Sequence, residues 1–310
     1  MSRNGNTKSS ISRPHSSSVH STEPADPDVC DDDSRRAQPL APDSVKSERL
    51  PEPFVKDGEP VTVAEAGETY LKVQRANWND DTLTSKHERH KHEMYPRILE
   101  ADRHFQREYD SLTTAMLTRR LSPLDETGSW LTPWDCNGML HDGGIQRSVR
   151  EALDYGLDEF IFEWIAVTAP TTSAGTPHEH IYLWIDDADD EVTVDHLSPA
   201  LDKHLKHCEN AYQEHHRYRP DGTEGAVTVR HDPPVVTEYP ESLSEILERS
   251  FPYPNTRGAQ YLASQLAHLP IADYYPDDRE TPPQALFEGA ALAWVSPRNW
   301  FRASQGVPAV

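Results

Sequence analysis

Two apolar runs separated by a short loop constrain the fold of this chain more than any other feature. The first run, at 160–168, reads Phe-Ile-Phe-Glu-Trp-Ile-Ala-Val-Thr, and the second, at 177–185, reads Pro-His-Glu-His-Ile-Tyr-Leu-Trp-Ile. Both are rich in β-branched and aromatic residues, and a Thr/Ser/Gly/Pro loop joins them. This order predicts two strands that pair antiparallel as a hairpin.

The remaining periodicity predicts a mixed fold. Strands are expected at 112–118 and 227–230, and helices at 143–153, 195–212, 257–269 and 283–295. A highly charged segment at 84–109 predicts a solvated helix that is broken near Pro96. Because strands and helices mix without strict alternation, we expect an α+β fold, with an antiparallel sheet and flanking helices.

Composition divides the chain into regions. Residues 1–60 are rich in Ser, Pro and Asp and nearly free of aromatic residues, so we predict a disordered acidic and polar tail. A polar helical extension at 61–110, a packed domain at 111–304 and a tail at 305–310 follow. No apolar segment approaches the ~20 residues of a membrane span, and we expect a cytoplasmic protein without membrane contact.

The charge balance is strongly acidic. The chain carries 52 Asp and Glu against 30 Lys and Arg, a formal net charge of −22. Such a surface repels itself and needs screening by salt, so we interpret the bias as adaptation of a halophile to a salty cytoplasm. The alternative is an acidic protein that binds basic partners.

The second apolar run carries two histidines that could share a metal ion. His178 and His180 are two positions apart, so a regular strand places both on one face with Cα atoms about 7 Å apart. A divalent ion needs a further ligand, and Glu163 is the candidate because it is the charged residue in the middle of the preceding strand. Glu179 points to the opposite face.

The predicted helix at 257–269 carries a tyrosine on its more polar side. Leu262, Leu266 and Leu269 form one stripe, whereas Tyr261 and Gln265 lie one step around the helix. A phenol with a pKa of about 10 is a weak nucleophile unless a metal or base activates it. The alternative for Tyr261 is a half-buried packing residue.

Together these residues resemble the HUH endonucleases, and more closely the rolling-circle replication initiators (Rep proteins) of haloarchaeal plasmids and viruses. The resemblance covers about residues 110–304. The matching motifs are the Thr-rich strand 112–118, His178-Glu-His180 with its apolar strand, and the helix with Tyr261. The family usually has a hydrophobic residue at the position of Glu179, and many relatives have Lys at the position of Gln265.

The resemblance implies site-specific, metal-dependent nicking and rejoining of single-stranded origin DNA. Tyr261 would be the nucleophile that forms a 5′-phosphotyrosine, with Gln265 beside it, and rolling-circle replication of a plasmid or virus would start from the free 3′-OH. His178, His180 and Glu163 would hold Mn²⁺ or Mg²⁺, and imidazole ligands favour Mn²⁺. The sequence contains no GxxxxGK[ST] motif, so a host helicase and a host DNA polymerase are expected partners.

Local clusters of arginine and aromatic residues are the candidates for binding DNA. The candidates are Arg119, Arg230, Arg257, Trp300 and Arg302, with Arg147 and Arg150 as a further pair. Arginine binds phosphate, and Trp300 could stack on the bases of a single strand. Two alternative functions remain open: a relaxase or transposase with the same chemistry, and a non-catalytic DNA-associated protein.

Overall fold

The computed structural model of the chain describes residues 55–56, 59–60, 65, 86–129, 131, 133–171, 176–233, 235, 258–265 and 300–308. The predicted helix at 283–295 and most of the predicted disordered tail lie outside these residues. Within that tail, the strands β1 (Val55–Lys56) and β2 (Glu59–Pro60) form a two-residue antiparallel pair.

The described part of the chain is built on one antiparallel sheet. Its strands are β3 (Leu112–Arg119), β4 (Ile161–Pro170), β5 (Pro177–Asp186), β6 (Val227–Arg230) and β7 (Phe301–Ala303). They are ordered β6-β3-β5-β4-β7, and every neighbouring pair is antiparallel. The predicted β4–β5 hairpin is confirmed, and so is the α+β class with flanking helices.

Helices cover both faces of the sheet. They are α1 (Lys86–Glu108), α2 (Pro133–Leu140), α3 (Gly143–Gly156), α4 (Val194–His207) and α5 (Gly258–Gln265). Residues of α1 and α5 share one hydrophobic core with the β5 face that carries Tyr182 and Trp184. Residues of α2, α3 and α4 pack with the face that carries Ile181 and Leu183. Among the described helices, none combines the length and apolar character that a membrane span requires.

Helix α1 is the largest departure from the sequence prediction. It continues through Pro96, which faces solvent, without a break, and its described part from Glu93 to Glu108 has a buried face. Its side chains Ile98, Leu99 and Phe105 are buried against the sheet. An interior proline costs a helix about 3 kcal/mol, and burying each such apolar side chain returns about 1.5–3 kcal/mol. The division at residue 110 stays a prediction, but α1 and the sheet share one core.

Helix α3 illustrates how the sequence determines a boundary. Asp142 precedes it and accepts hydrogen bonds from the backbone N–H groups of Gly144 and Ile145, at 2.9 and 3.1 Å. These bonds satisfy two of the donors that a helix leaves open at its start. Val149 and Leu153 then continue the buried stripe that the spacing predicts. Helix α4 ends at His207, earlier than the predicted residue 212, and α2 and β7 were not predicted.

Candidate active site

The two histidines of β5 lie side by side on one face of the sheet. His178 and His180 are 4% and 1% exposed, and their ring centroids are 4.8 Å apart in an edge-to-face arrangement. Val167 of β4 is the direct partner of His180, and Ala169 is the partner of His178. The direct neighbours of the two imidazoles on β4 are therefore apolar.

A threonine of the neighbouring strand orients one of the imidazoles. Thr118 of β3 is the direct cross-strand partner of His180, and its Oγ1 lies 3.0 Å from Nδ1 of that histidine. With Nδ1 held by the hydroxyl, Nε2 points away from the Thr118 hydroxyl. A metal-binding histidine usually has its second ring nitrogen held in this way. The sequence showed a Thr-rich strand here, but only the register shows which threonine contacts the histidine.

Helix α5 places a tyrosine against the same imidazole. The Oη of Tyr261 lies 3.5 Å from Nε2 of His180, and the ring centroids are 5.2 Å apart. This distance is too long for a strong hydrogen bond but is direct contact. The close approach requires Gly258 at the start of α5, because a Cβ there would overlap the ring of Tyr182. One cluster therefore contains Thr118, His180 and Tyr261, which are far apart in sequence.

Both sides of α5 are buried, in contrast to the polar face that was predicted. Tyr261 is 5% exposed and belongs to the same hydrophobic core as Leu262. Gln265, one turn after the tyrosine, is also 5% exposed. The sequence predicted the helix that carries Tyr261, but the covering of its polar side depends on the contacts of α5 with the sheet and α1.

The predicted third metal ligand does not lie with the histidines. Glu163 is the partner of Trp184 on β5, so it shares the face of the histidines but lies four residues along the strand from His180. At ~3.3 Å per residue that separation is about 13 Å. Its Oε2 instead accepts a hydrogen bond from the backbone N–H of Gly306, at 3.2 Å. The assignment of Glu163 as a ligand is wrong, because register sets its position and the sequence did not reveal the register.

The residue between the two histidines forms a buried ion pair on the opposite face. Glu179 is fully buried, and its Oε2 lies 2.9 Å from Nε of Arg119. Arg302 of β7 donates to the other carboxylate oxygen. Burial raises the pKa of Glu179, but Arg119 and Arg302 outweigh that effect and hold the pKa at about 2. The carboxylate is therefore ionised at neutral pH.

This ion pair corrects one prediction for DNA binding. Arg119 is 1% exposed and also donates to the carbonyl oxygen of Leu140, at 3.0 Å, so it does not offer its guanidinium to DNA. The ion pair with Arg119 instead explains how the chain tolerates a buried glutamate at position 179, where the resemblance noted from the sequence implies a hydrophobic residue. Arg302 keeps 26% of its side chain exposed, although it is paired with the same carboxylate.

The other residues predicted to bind DNA are spread over the molecule. Trp300 is 4% exposed and packs in the core beneath α1, so it offers no surface for stacking and that prediction is wrong. Arg230 is exposed at the end of β6. Arg257 lies outside the described residues. The sequence alone does not distinguish a core tryptophan from a surface one, because the burial of the ring depends on contacts with distant parts of the chain.

A second group of potential metal ligands was missed by the sequence analysis. Asp187, Asp190 and His231 each offer a ligand atom, and these atoms lie within 4.8 Å of one another, which is compatible with a divalent cation. Asp187 also accepts hydrogen bonds from Thr113 and from the backbone N–H groups of Glu191 and Val192. The sequence signal for this group was the run of acidic residues that follows Ile185.

This acidic group is separate from the histidine pair. Asp187 follows the end of β5, seven residues from His180, which corresponds to about 23 Å along the strand. One ion therefore cannot contact both groups. The hydrogen bonds that Asp187 accepts hold the loop after β5, so its oxygens already have a structural use.

Comparison with known proteins shows the family to which the chain belongs. The family described as "Putative rep protein (DUF1424)" matches residues 81–309, which is most of the chain, and the chain belongs to this family. The match begins just before α1, and so includes the helix that shares its core with the sheet.

Two haloarchaeal proteins are similar to the chain. An "Uncharacterized 36 kDa protein" of Halobacterium salinarum is 26% identical over 215 residues, and one of Halobacterium sp. (strain GN101) is 28% identical over 220 residues. Each alignment covers 69% of this chain and 60% of the relative. The halophilic source of both relatives agrees with the acidic composition. No solved structure matches the chain.

Proposed function

We propose that the chain nicks and rejoins single-stranded DNA at a specific site through Tyr261, and that this step starts rolling-circle replication of a plasmid or virus. The supporting observation is the contact of Tyr261 Oη with His180 Nε2, at 3.5 Å, between residues 81 positions apart. This arrangement resembles that of the HUH endonucleases, in which a histidine pair and a tyrosine act on one phosphate.

The residues around the histidine pair fit a divalent cation. Two imidazoles on one strand face suit Mn²⁺ better than Mg²⁺, which prefers oxygen ligands. Thr118 holds Nδ1 of His180 and leaves Nε2 for an ion, as an outer-sphere partner does. A cation bound by His178 and His180 would polarise the scissile phosphate and offset the charge on its oxygens. With Glu163 distant, the DNA phosphate and water would supply the remaining ligands.

Tyr261 would carry the covalent step. Its phenolic oxygen would form a bond to phosphorus while the bond from phosphorus to the 3′-oxygen of the preceding nucleotide breaks. The departing 3′-oxygen takes up a proton and the phenol loses one, so the step needs no oxidant or ATP. The reverse reaction would rejoin the strand. The free 3′-OH would prime a host polymerase, and a host helicase would separate the strands.

The closed geometry has a consequence for DNA binding. A gap of 3.5 Å between Tyr261 Oη and His180 Nε2 leaves no room for a phosphate group, and both residues are at most 5% exposed. We infer that α5 separates from β5 when DNA enters.

The proposal favours replication over mobilisation of DNA because the family of this chain is described as a rep family.

Formation of a covalent adduct tests the proposal. The full chain is incubated with labelled single-stranded origin DNA and Mn²⁺ in high salt, and the products are separated under denaturing conditions. We expect a protein–DNA band that disappears with EDTA and in the Tyr261→Phe variant. An adduct that persists in Tyr261→Phe would reject this nucleophile.

A matched variant separates chemistry from packing. Tyr182 is equally buried in the same hydrophobic core and lies two residues from His180. Tyr182→Phe removes one hydroxyl, as Tyr261→Phe does, and should retain the adduct. The His178→Gln and His180→Gln variants should reduce adduct formation at limiting Mn²⁺, and should do so less at excess Mn²⁺ if the residues hold the ion.

A further inference from the structure

An arginine-rich cleft lies around β7, one of the two edge strands of the five-stranded sheet. Its volume is about 900 Å³, within the range of ligand-binding cavities. The floor includes Glu179 and Ile181 of β5, and one wall is α3. Arg97 of α1 also lines the cleft, so the cleft extends around the edge strand toward the face that carries the histidines.

The charge of this cleft is opposite to that of the chain. Five arginines and two carboxylates are among its described lining residues, whereas the whole chain has a net charge of −22. The arginines are Arg97, Arg119, Arg147, Arg150 and Arg302, of which Arg119 is buried in its ion pair with Glu179 and does not contact a ligand. A concentration of arginine on an acidic protein indicates an anionic ligand, because arginine binds phosphate in a bidentate manner.

Several of these arginines are available to a ligand. Arg147 is exposed and forms no ion pair with any described residue. Arg150 is 70% exposed, and its contact with Asp154 is long, at 3.7 Å. Ion pairs of this exposed kind contribute little, so a phosphate can replace the carboxylate. Arg302 is 26% exposed above Glu179.

An aromatic side chain accompanies the arginines. Trp164 of β4 lines the cleft and is half-buried, so part of its indole can contact a ligand. Grooves that bind single-stranded nucleic acid combine arginines that follow the backbone with aromatic rings on which bases stack. The volume of about 900 Å³ lies near the upper end of the range for ligand-binding cavities, so the cleft has room for a segment of a single strand.

We propose that this cleft binds a segment of single-stranded DNA on the side of the sheet opposite the histidine pair. The inference rests on the proposed function for the identity of the strand as DNA. Glu179 lines the cleft and lies between His178 and His180 in sequence, so the cleft and the histidine pair are at the same end of the sheet, on opposite faces. A DNA strand that passes around the edge strand β7 would therefore reach both the cleft and the histidine pair.

Charge reversal in the cleft tests this proposal. Binding of a labelled oligodeoxythymidine is measured by fluorescence anisotropy across a salt series, in the Tyr261→Phe background so that no covalent step contributes. Reversal of Arg147 and Arg150 to Glu should weaken binding by roughly tenfold or more. The slope of log K against log salt should fall by about 1.4, because two phosphate contacts are lost from a single strand.

A second double reversal serves as the control. Arg103 and Arg107 on α1 are also exposed, also contact a carboxylate at 3.5 and 3.4 Å, and do not line the cleft. Reversing both to Glu changes the net charge equally, and should weaken binding less than about threefold. Equal weakening in the two variants would overturn the cleft as the binding site, because the effect would then be one of net charge.

The two proposals can fail separately. Loss of the adduct with retained, cleft-dependent binding would reject the nicking function and leave the cleft as a binding site. An adduct that forms normally, with binding that is indifferent to Arg147 and Arg150, would reject the cleft and leave the nicking function. Thermal melting of each variant confirms that the fold is intact before binding is compared.

Discussion

Replacing Glu179 with glutamine should destabilise the protein more than any surface substitution. The carboxylate is fully buried between Arg119 and Arg302, and Arg119 is itself 1% exposed. Glu179→Gln keeps the shape of the side chain but leaves the guanidinium of Arg119 buried without a counter-charge. Removing one partner of a buried ion pair costs about 3–5 kcal/mol.

The expected loss is large compared with total stability. Domains are typically stable by about 5–15 kcal/mol, so a loss of about 3–5 kcal/mol removes roughly a fifth or more of the free energy of unfolding. At about 2–4 °C per kcal/mol for a domain of this size, the melting temperature should fall by roughly 6–20 °C. Circular dichroism in concentrated KCl measures the melting temperature, because the acidic surface needs screening by salt.

The order of the single variants provides the sharper test. Arg119→Met leaves Glu179 paired with Arg302, whereas Glu179→Gln strands a buried cation, so Arg119→Met should cost less. The double variant Arg119→Met/Glu179→Leu should recover most of the loss, because an apolar pair can replace a buried ion pair. The reasoning is refuted if Arg119→Met is the more damaging single change, or if the two losses simply add.

Two further predictions concern pH and packing. Burial lowers the pKa of His204 to about 3 and of His216 to about 4, against ~6.5 when unfolded. The contribution of these two neutral histidines to the free energy of unfolding is complete above pH 6.5. It is lost as pH falls toward their folded pKa values, by about 1.4 kcal/mol per pH unit for each histidine. A denaturation midpoint unchanged from pH 7 to 5 would contradict this. Gly258→Ala should clash with the Tyr182 ring and reduce adduct formation, while Gly138→Ala, with open space at its Cβ, should not.

The histidine motif shows how much of the site local pattern can predict. The period of a strand places His178 and His180 on one face and Glu179 on the other, and the structure agrees because this alternation is a property of the backbone itself. The hairpin with β4 was equally predictable from the two apolar runs and their loop. Neither inference needed any contact between distant parts of the chain.

The errors arose where burial depends on distant partners. Helix α1 was expected to be solvated because its apolar residues are sparse, but a few of them suffice once a sheet face lies beneath them. Trp300 and Arg119 were expected at the surface because tryptophan can stack on bases and arginine can bind phosphate, but both are buried. Composition reports how polar a segment is, and it does not report what covers that segment.

The sequence by itself determined the strands β3 to β6, the alternation of their side chains and the helix that bears Tyr261, because each depends on residues a few positions apart. Only the tertiary structure decided that Tyr261 contacts His180, that Glu163 lies about 13 Å along the strand from that histidine, and that Glu179 is paired with Arg119. Register and packing set these distances, and both are fixed by the total burial of two sheet faces, which no short segment encodes.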